Sequence, residues 1–115
     1  MSKRTLSRDA LPPEVRHSLR ELGQRIRSAR LRRRLSQAEF AAALYVTRKT
    51  LARLEEGDPG VSLAVFATAL FALGLHQQID ELATPQSDAV GLWHAERQLP
   101  KRVRHRASDE EKLDF

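Results

Sequence analysis

The sequence predicts a small all-α protein, a five-helix bundle followed by a partly extended C-terminal tail. Three observations predict it. Apolar residues recur at steps of three and four through most of residues 11–84, the period of helices with one buried face. Ser36, Thr47 and Ser62 stand where helices can be capped, and Gly57 and Gly74 stand where they can end. The chain of 115 residues is 41% hydrophobic, enough for one modest core. The expected organisation is a flexible N-terminal arm over 1–10, the bundle over 11–84 and a tail over 85–115.

Each element follows from local chemistry. Leu11-Pro12-Pro13 opens the first helix, because a first turn does not need the N–H groups that prolines lack. Val15, Leu19, Leu22, Ile26 and Ala29 form its inward stripe, with arginines on the other face down to Arg34. Gly23 interrupts this run and predicts a bend or break. Ser36 and Glu39 have the spacing of a capping box for a second helix, Ser36–Leu44, with Phe40, Ala41 and Leu44 inward. After Tyr45-Val46, Thr47 caps a third helix reaching Glu56, with Leu51 and Leu54 inward, and Gly57-Asp58-Pro59-Gly60 ends it. Ser62 caps a fourth helix with Leu63, Phe66, Leu70 and Leu73 inward. His76–Leu82 is a short fifth helix using Ile79 and Leu82. Beyond Ala83-Thr84-Pro85 the helical period fades. Ala89-Val90-Gly91-Leu92-Trp93 reads as a short strand or a docked extended segment. A basic stretch, Leu99–Arg106, and a mostly acidic one, Ser108–Glu111, read as flexible tail.

Composition excludes several classes. With no cysteine there are no disulfides and no thiolate metal sites, which fits a reducing cytoplasm. The longest apolar stretch, Val61–Leu75, is too short to span a bilayer, and the N-terminus lacks the apolar core of a signal peptide, so a cytoplasmic protein with no membrane partner is expected. His17, His76, His94 and His105 have no ligand spacing, no glycine-rich phosphate loop follows a strand, and nothing pairs a nucleophile with a base. Neither a metal, a cofactor nor enzymatic activity is expected.

Charge points the other way, towards a partner. Before Leu35 the arginines and lysines face only Asp9, Glu14 and Glu21, whereas the middle of the chain is acidic on balance apart from Arg48, Lys49 and Arg53. A basic lobe suits a polyanion, although an arginine-rich helix face can equally be solvated surface. The second and third helices are each too short to persist alone and must be held by a scaffold. A helix presented this way can enter the major groove of DNA, where base edges carry distinct donor and acceptor patterns. Arg48, Lys49, Thr50 and Arg53 offer cations and hydrogen-bonding groups on its outer side. Gln37 lies at the second helix's start, whose backbone donors can grip a phosphate.

The stretch Leu35-Ser-Gln-Ala-Glu-Phe-Ala-Ala-Ala-Leu-Tyr-Val-Thr-Arg-Lys-Thr-Leu-Ala-Arg-Leu-Glu-Glu-Gly57, with Ala72-Leu-Gly-Leu75 after it, resembles the lambda-repressor-like, Xre-type helix-turn-helix family from about Leu19 to Leu82. The resemblance implies a five-helix bundle that binds operator DNA as a two-fold homodimer. It puts Gln37, Thr47, Arg48, Lys49, Thr50 and Arg53 at DNA-contacting positions. It also implies a structural Arg30–Glu55 ion pair that fixes the angle of the reading helix. The family commonly has glycine in the turn where this chain has Tyr45, so the turn is expected either to hold a non-glycine residue at positive φ or to differ slightly. Gly57-Asp-Pro-Gly-Val-Ser-Leu63 and Leu99-Pro-Lys-Arg-Val-Arg104 resemble HipB-type antitoxins, which repress their own operon and bind HipA-like kinase toxins. A plain repressor fits the same residues, as does a module acting mainly by binding a toxin. Trp93, with Leu92 beside it, is expected to anchor a dimer or partner interface, with folding back onto the bundle as the alternative.

Overall fold

The computed structural model describes residues 10–98, all of whose regular structure is helical. Residues 1–9 of the expected arm, the basic stretch Leu99–Arg106 and the acidic one after it lie outside the described residues. Four α-helices come first: α1 (Pro13–Arg32), α2 (Gln37–Leu44), α3 (Arg48–Glu55) and α4 (Leu63–Ala72). Two 3₁₀ turns follow, His76–Glu81 and Pro85–Ser87, and then α5, residues 89–98. The chain divides into two compact units between Ile79 and Asp80.

The first unit holds α1 to α4. Its core gathers Ile26 and Ala29 from α1, Phe40, Ala41 and Leu44 from α2, Leu51 and Leu54 from α3, and Ala69, Leu70 and Leu73 at α4. Helix α1 packs on α3, α2 on α3, and α2 on α4, so α3 is held from two sides. Three of the starts are capped by hydroxyls. Ser36 Oγ accepts from Glu39 N at 3.0 Å while Glu39 Oε1 accepts from Ser36 N at 2.8 Å, a complete capping box. Thr47 and Ser62 accept from Thr50 N and Val65 N, both at 3.1 Å. Each such cap contributes about 1 kcal/mol, which matters for helices of only two or three turns.

Several expectations are corrected. Helix α1 runs unbroken through Gly23, and the residue serves the packing of α1 on α3. A Cβ there would lie 2.6 Å from the Glu55 carbonyl oxygen and 2.7 Å from the Gly57 amide nitrogen. Leu63, read as inward, is 77% exposed, and Val15 and Leu82 are exposed too. Val15 and Leu63 instead border an apolar groove of about 440 Å³ between α1 and the segment leading into α4. These residues follow the helical period, but among the described residues the stripe is longer than the surface that covers it. The fifth element is a 3₁₀ helix rather than an α-helix, ending at Glu81.

The second unit overturns the strand. Residues 89–98 are helical, and Asp88 starts them: its Oδ1 accepts from Gly91 N at 3.0 Å and its carbonyl oxygen from Leu92 N at 2.9 Å. The side chain thus caps a helix start, and the segment is a helix where a strand or an extended segment is expected. Trp93 and Leu92 are both exposed on this helix, and the Arg97 guanidinium lies over the indole, 4.6 Å from its centroid.

Candidate nucleic-acid interface

The site is built around α3, and the sequence dictates which side faces out. Leu51, Leu54 and Glu55 point inward and are buried. On a 3.6-residue period this turns Lys49 and Arg53, four residues apart, to the opposite face, with Arg48 and Thr50 flanking them at the N-terminal end. Arg48 and Lys49 are exposed, and Thr50 and Arg53 are half-buried. The Thr47 hydroxyl accepts from Thr50 N and donates to Thr50 Oγ1 at 3.1 Å, so it is committed to starting the helix. That cap leaves the Arg48 and Lys49 amides without an acceptor in their own helix, as at any α-helical N-terminus. Gln37 is the first residue of α2 and half-buried. Beside it the Glu39 carboxylate already takes the Ser36 N–H, so the open donors of that turn are the Gln37 and Ala38 amides.

What fixes α3 is an ion pair. Arg30, on α1, donates from Nε to Glu55 Oε2 at 2.7 Å and from Nη2 to Glu55 Oε1 at 3.0 Å. Its Nη1 donates to the Leu35 carbonyl at 2.9 Å. Both side chains are almost wholly buried, at 5% and 4% exposure. One guanidinium thus ties α1 to the last turn of α3 and to the strand of chain that leads into α2. Its hydrogen bonds to Glu55 raise the Arg30 pKa above the ordinary guanidinium value; burial opposes the shift and the Glu55 charge adds to it. Gly23 and Gly57 complete the fit. A Cβ on Gly57, whose φ is +80°, would lie 2.5 Å from the Leu19 carbonyl oxygen, so the end of α3 can approach α1 this closely only through two glycines.

The turn into α3 keeps left-handed geometry without glycine. Tyr45 has φ 58° and ψ 41°, and its side chain is 94% exposed. Its amide donates to the Ala42 carbonyl at 3.1 Å and the next amide, of Val46, to that of Ala41 at 3.0 Å. The hydrogen bonds of the turn are therefore complete, and the tyrosine carries a backbone strain of about 1–2 kcal/mol.

Residues 21–82 match the model of the helix-turn-helix domain, which is more than half of the chain. The chain belongs to the helix-turn-helix domain family. None of the curated proteins compared with it matches significantly. The helix-turn-helix is here α2, the Tyr45-Val46 turn and α3, and the match makes the protein a DNA-binding regulator by family. No helix among the described residues is long and apolar enough to cross a membrane, and none of their His, Asp and Glu side chains form a group able to hold a metal.

Sequence reasoning missed three groups around this helix-turn-helix. Asp58 is one: its Oδ2 accepts from Arg53 Nε at 2.8 Å, so Arg53 does not sit on the surface as an unattached cation. Arg33 is another. By sequence it belongs to the basic face of α1, yet it donates to the Ala29 carbonyl at 2.8 Å and to the Leu73 carbonyl at 2.9 Å, clasping the C-terminal ends of α1 and α4. Gly23 is the third. The Asp58-Pro59-Gly60 turn was a usable signal, because an aspartate two residues before glycine tends to bond the backbone ahead of it.

Proposed function

We propose that this protein is a sequence-specific transcriptional repressor that binds operator DNA as a homodimer and is not an enzyme. Arg48, Lys49, Thr50 and Arg53 would supply the contacts to base edges and phosphates, and the amides at the start of α2, beside Gln37, a contact to a phosphate. The observation that carries this reading is the contrast along α3. Its last turn is locked by a buried bidentate ion pair, while its first turn bears two exposed cations, Arg48 and Lys49. In a dimer the two copies of α3 would lie about 34 Å apart to meet successive major grooves. Such a protein would reside in the cytoplasm, on the nucleoid.

The test is a gel shift on the promoter of the protein's own gene and on a scrambled duplex, for the native protein and for Arg48→Ala. The native protein should retain its promoter fragment in preference to the scrambled one. Arg48→Ala should weaken the preferred complex by about 1–3 kcal/mol and relax base preference at one position. No retention of either duplex would sink the reading.

A second reading, an antitoxin that also binds a HipA-like kinase toxin, is favoured by the exposed Leu92 and Trp93 on α5. Tryptophan is enriched in partner interfaces. Co-purification with the kinase-like product of a neighbouring gene, lost in Trp93→Ala while promoter binding persists, is the expected signature. A Trp93→Ala variant that keeps both would remove it.

A further inference from the structure

Resting on the reading of α3 as the DNA-binding helix, we propose that Asp58 is a positioning residue. It holds Arg53 by Nε and so aims the two Nη groups at the acceptor edge of a base pair. The geometry separates this arginine from Arg30. Glu55 takes Arg30 by Nε and Nη2, and the Leu35 carbonyl takes Nη1, so every nitrogen of that guanidinium is spent inside the protein. Asp58 takes Arg53 by Nε alone, at 2.8 Å. The far edge of the guanidinium, with its two parallel N–H groups, is the one that matches the paired acceptors of a guanine.

Asp58 is itself rigidly placed. Its Oδ1 accepts from Gly60 N at 2.7 Å, its amide donates to the Arg53 carbonyl at 3.0 Å, and its own carbonyl accepts from Val61 N at 3.2 Å. The carboxylate therefore hangs on a tight turn anchored to the end of α3, and Arg53 is held from a fixed point. Stability does not account for the arrangement. The pair is 36% and 29% exposed, and ion pairs this open to solvent add little to stability.

Recognition accounts for it better. An arginine fixed before binding gives up less rotamer freedom on docking. A carboxylate beside the binding face repels phosphates on every duplex alike, which lowers affinity without favouring any sequence. Discrimination therefore comes from the fixed Arg53 edge, while the repulsion lowers affinity on every duplex alike.

The test selects a preferred duplex for the native protein from a randomised library, then measures Kd for that duplex and for a scrambled one. Asp58→Asn keeps an acceptor for Gly60 N but none for Arg53. The ratio of the two Kd values should fall about tenfold in Asp58→Asn, with binding to the scrambled duplex unchanged or tighter. Arg53→Lys, which keeps the charge and has no Nε to be held, should lose the ratio similarly. In an Arg53→Ala background, Asp58→Asn should move the ratio less than about twofold. An unchanged ratio in Asp58→Asn, with every duplex bound more tightly, would show that Asp58 merely neutralises a phosphate-binding arginine and would overturn the proposal. So would a fall that persists undiminished in the Arg53→Ala background. A native protein that selects no sequence at all overturns the DNA reading itself, and this proposal with it.

Discussion

Two arginine–carboxylate pairs flank α3, and they differ in almost everything except their chemistry. Arg30–Glu55 is bidentate, buried and bridges separate parts of the chain; Arg53–Asp58 joins residues five apart through one side-chain bond and stands partly in water. Burial makes the first pair an all-or-nothing element: either partner alone would be an uncompensated charge in the core. Exposure makes the second nearly neutral for folding and leaves it free to serve recognition. The same side-chain types thus fix where the helix lies in one case and what it presents in the other.

The largest effect should come from breaking the buried pair. Arg30→Met strands the Glu55 carboxylate and should cost about 3–5 kcal/mol in denaturant unfolding. Adding Glu55→Leu should recover most of that stability, because two apolar side chains can replace a buried pair at little or no cost. The double variant should nevertheless bind DNA less selectively, since nothing then clamps the end of α3 to α1. Full recovery of both stability and selectivity would mean that the pair has no part in aiming the helix.

Gly23→Ala comes next. The added methyl must push against backbone atoms of α3 and its cap at 2.6–2.8 Å, which a side-chain rotation cannot relieve. A loss of about 1–3 kcal/mol is expected. If thermal melting shows no loss, the close approach of α1 to α3 is not constrained as the geometry indicates.

How much of this could be read in the sequence depended on how local the cause was. The caps at Ser36, Thr47 and Ser62, with the glycine at 57, are written within a few residues of each helix end, and the structure places the helices accordingly. The strand expected around Ala89–Trp93 fails on equally local ground, since Asp88 caps the start of a helix there. Tertiary causes were hidden. The reason for Gly23 lies on another helix, and Val15 and Leu63 have the period of core residues but, among the described residues, no element above them. Among the residues proposed for DNA contact, the resemblance supplied positions but not engagements. It did not show that the Thr47 hydroxyl is consumed by its own cap or that Arg53 is held by Asp58.

A smaller effect, opposite in sign, should come from the turn. Tyr45→Gly removes the penalty of a left-handed tyrosine and should raise stability by about 1 kcal/mol, read as a higher melting temperature. A side chain this exposed gives up no packing in return. A lower melting temperature would mean that the ring makes a stabilising contact that its exposure conceals.

The smallest effect returns to the open pair and sharpens the comparison through salt. Asp58→Asn should change stability by about 0.5 kcal/mol or less at low ionic strength, because solvent already screens a pair this exposed. Even that difference should vanish at 1 M salt, where the Debye length is only about 3 Å. The deficit of Arg30→Met should persist there, since added ions cannot enter the core to compensate Glu55. If both deficits shrink in parallel as salt is raised, Glu55 is reachable by solvent, and α3 lacks the rigid internal anchor on which a fixed reading face depends.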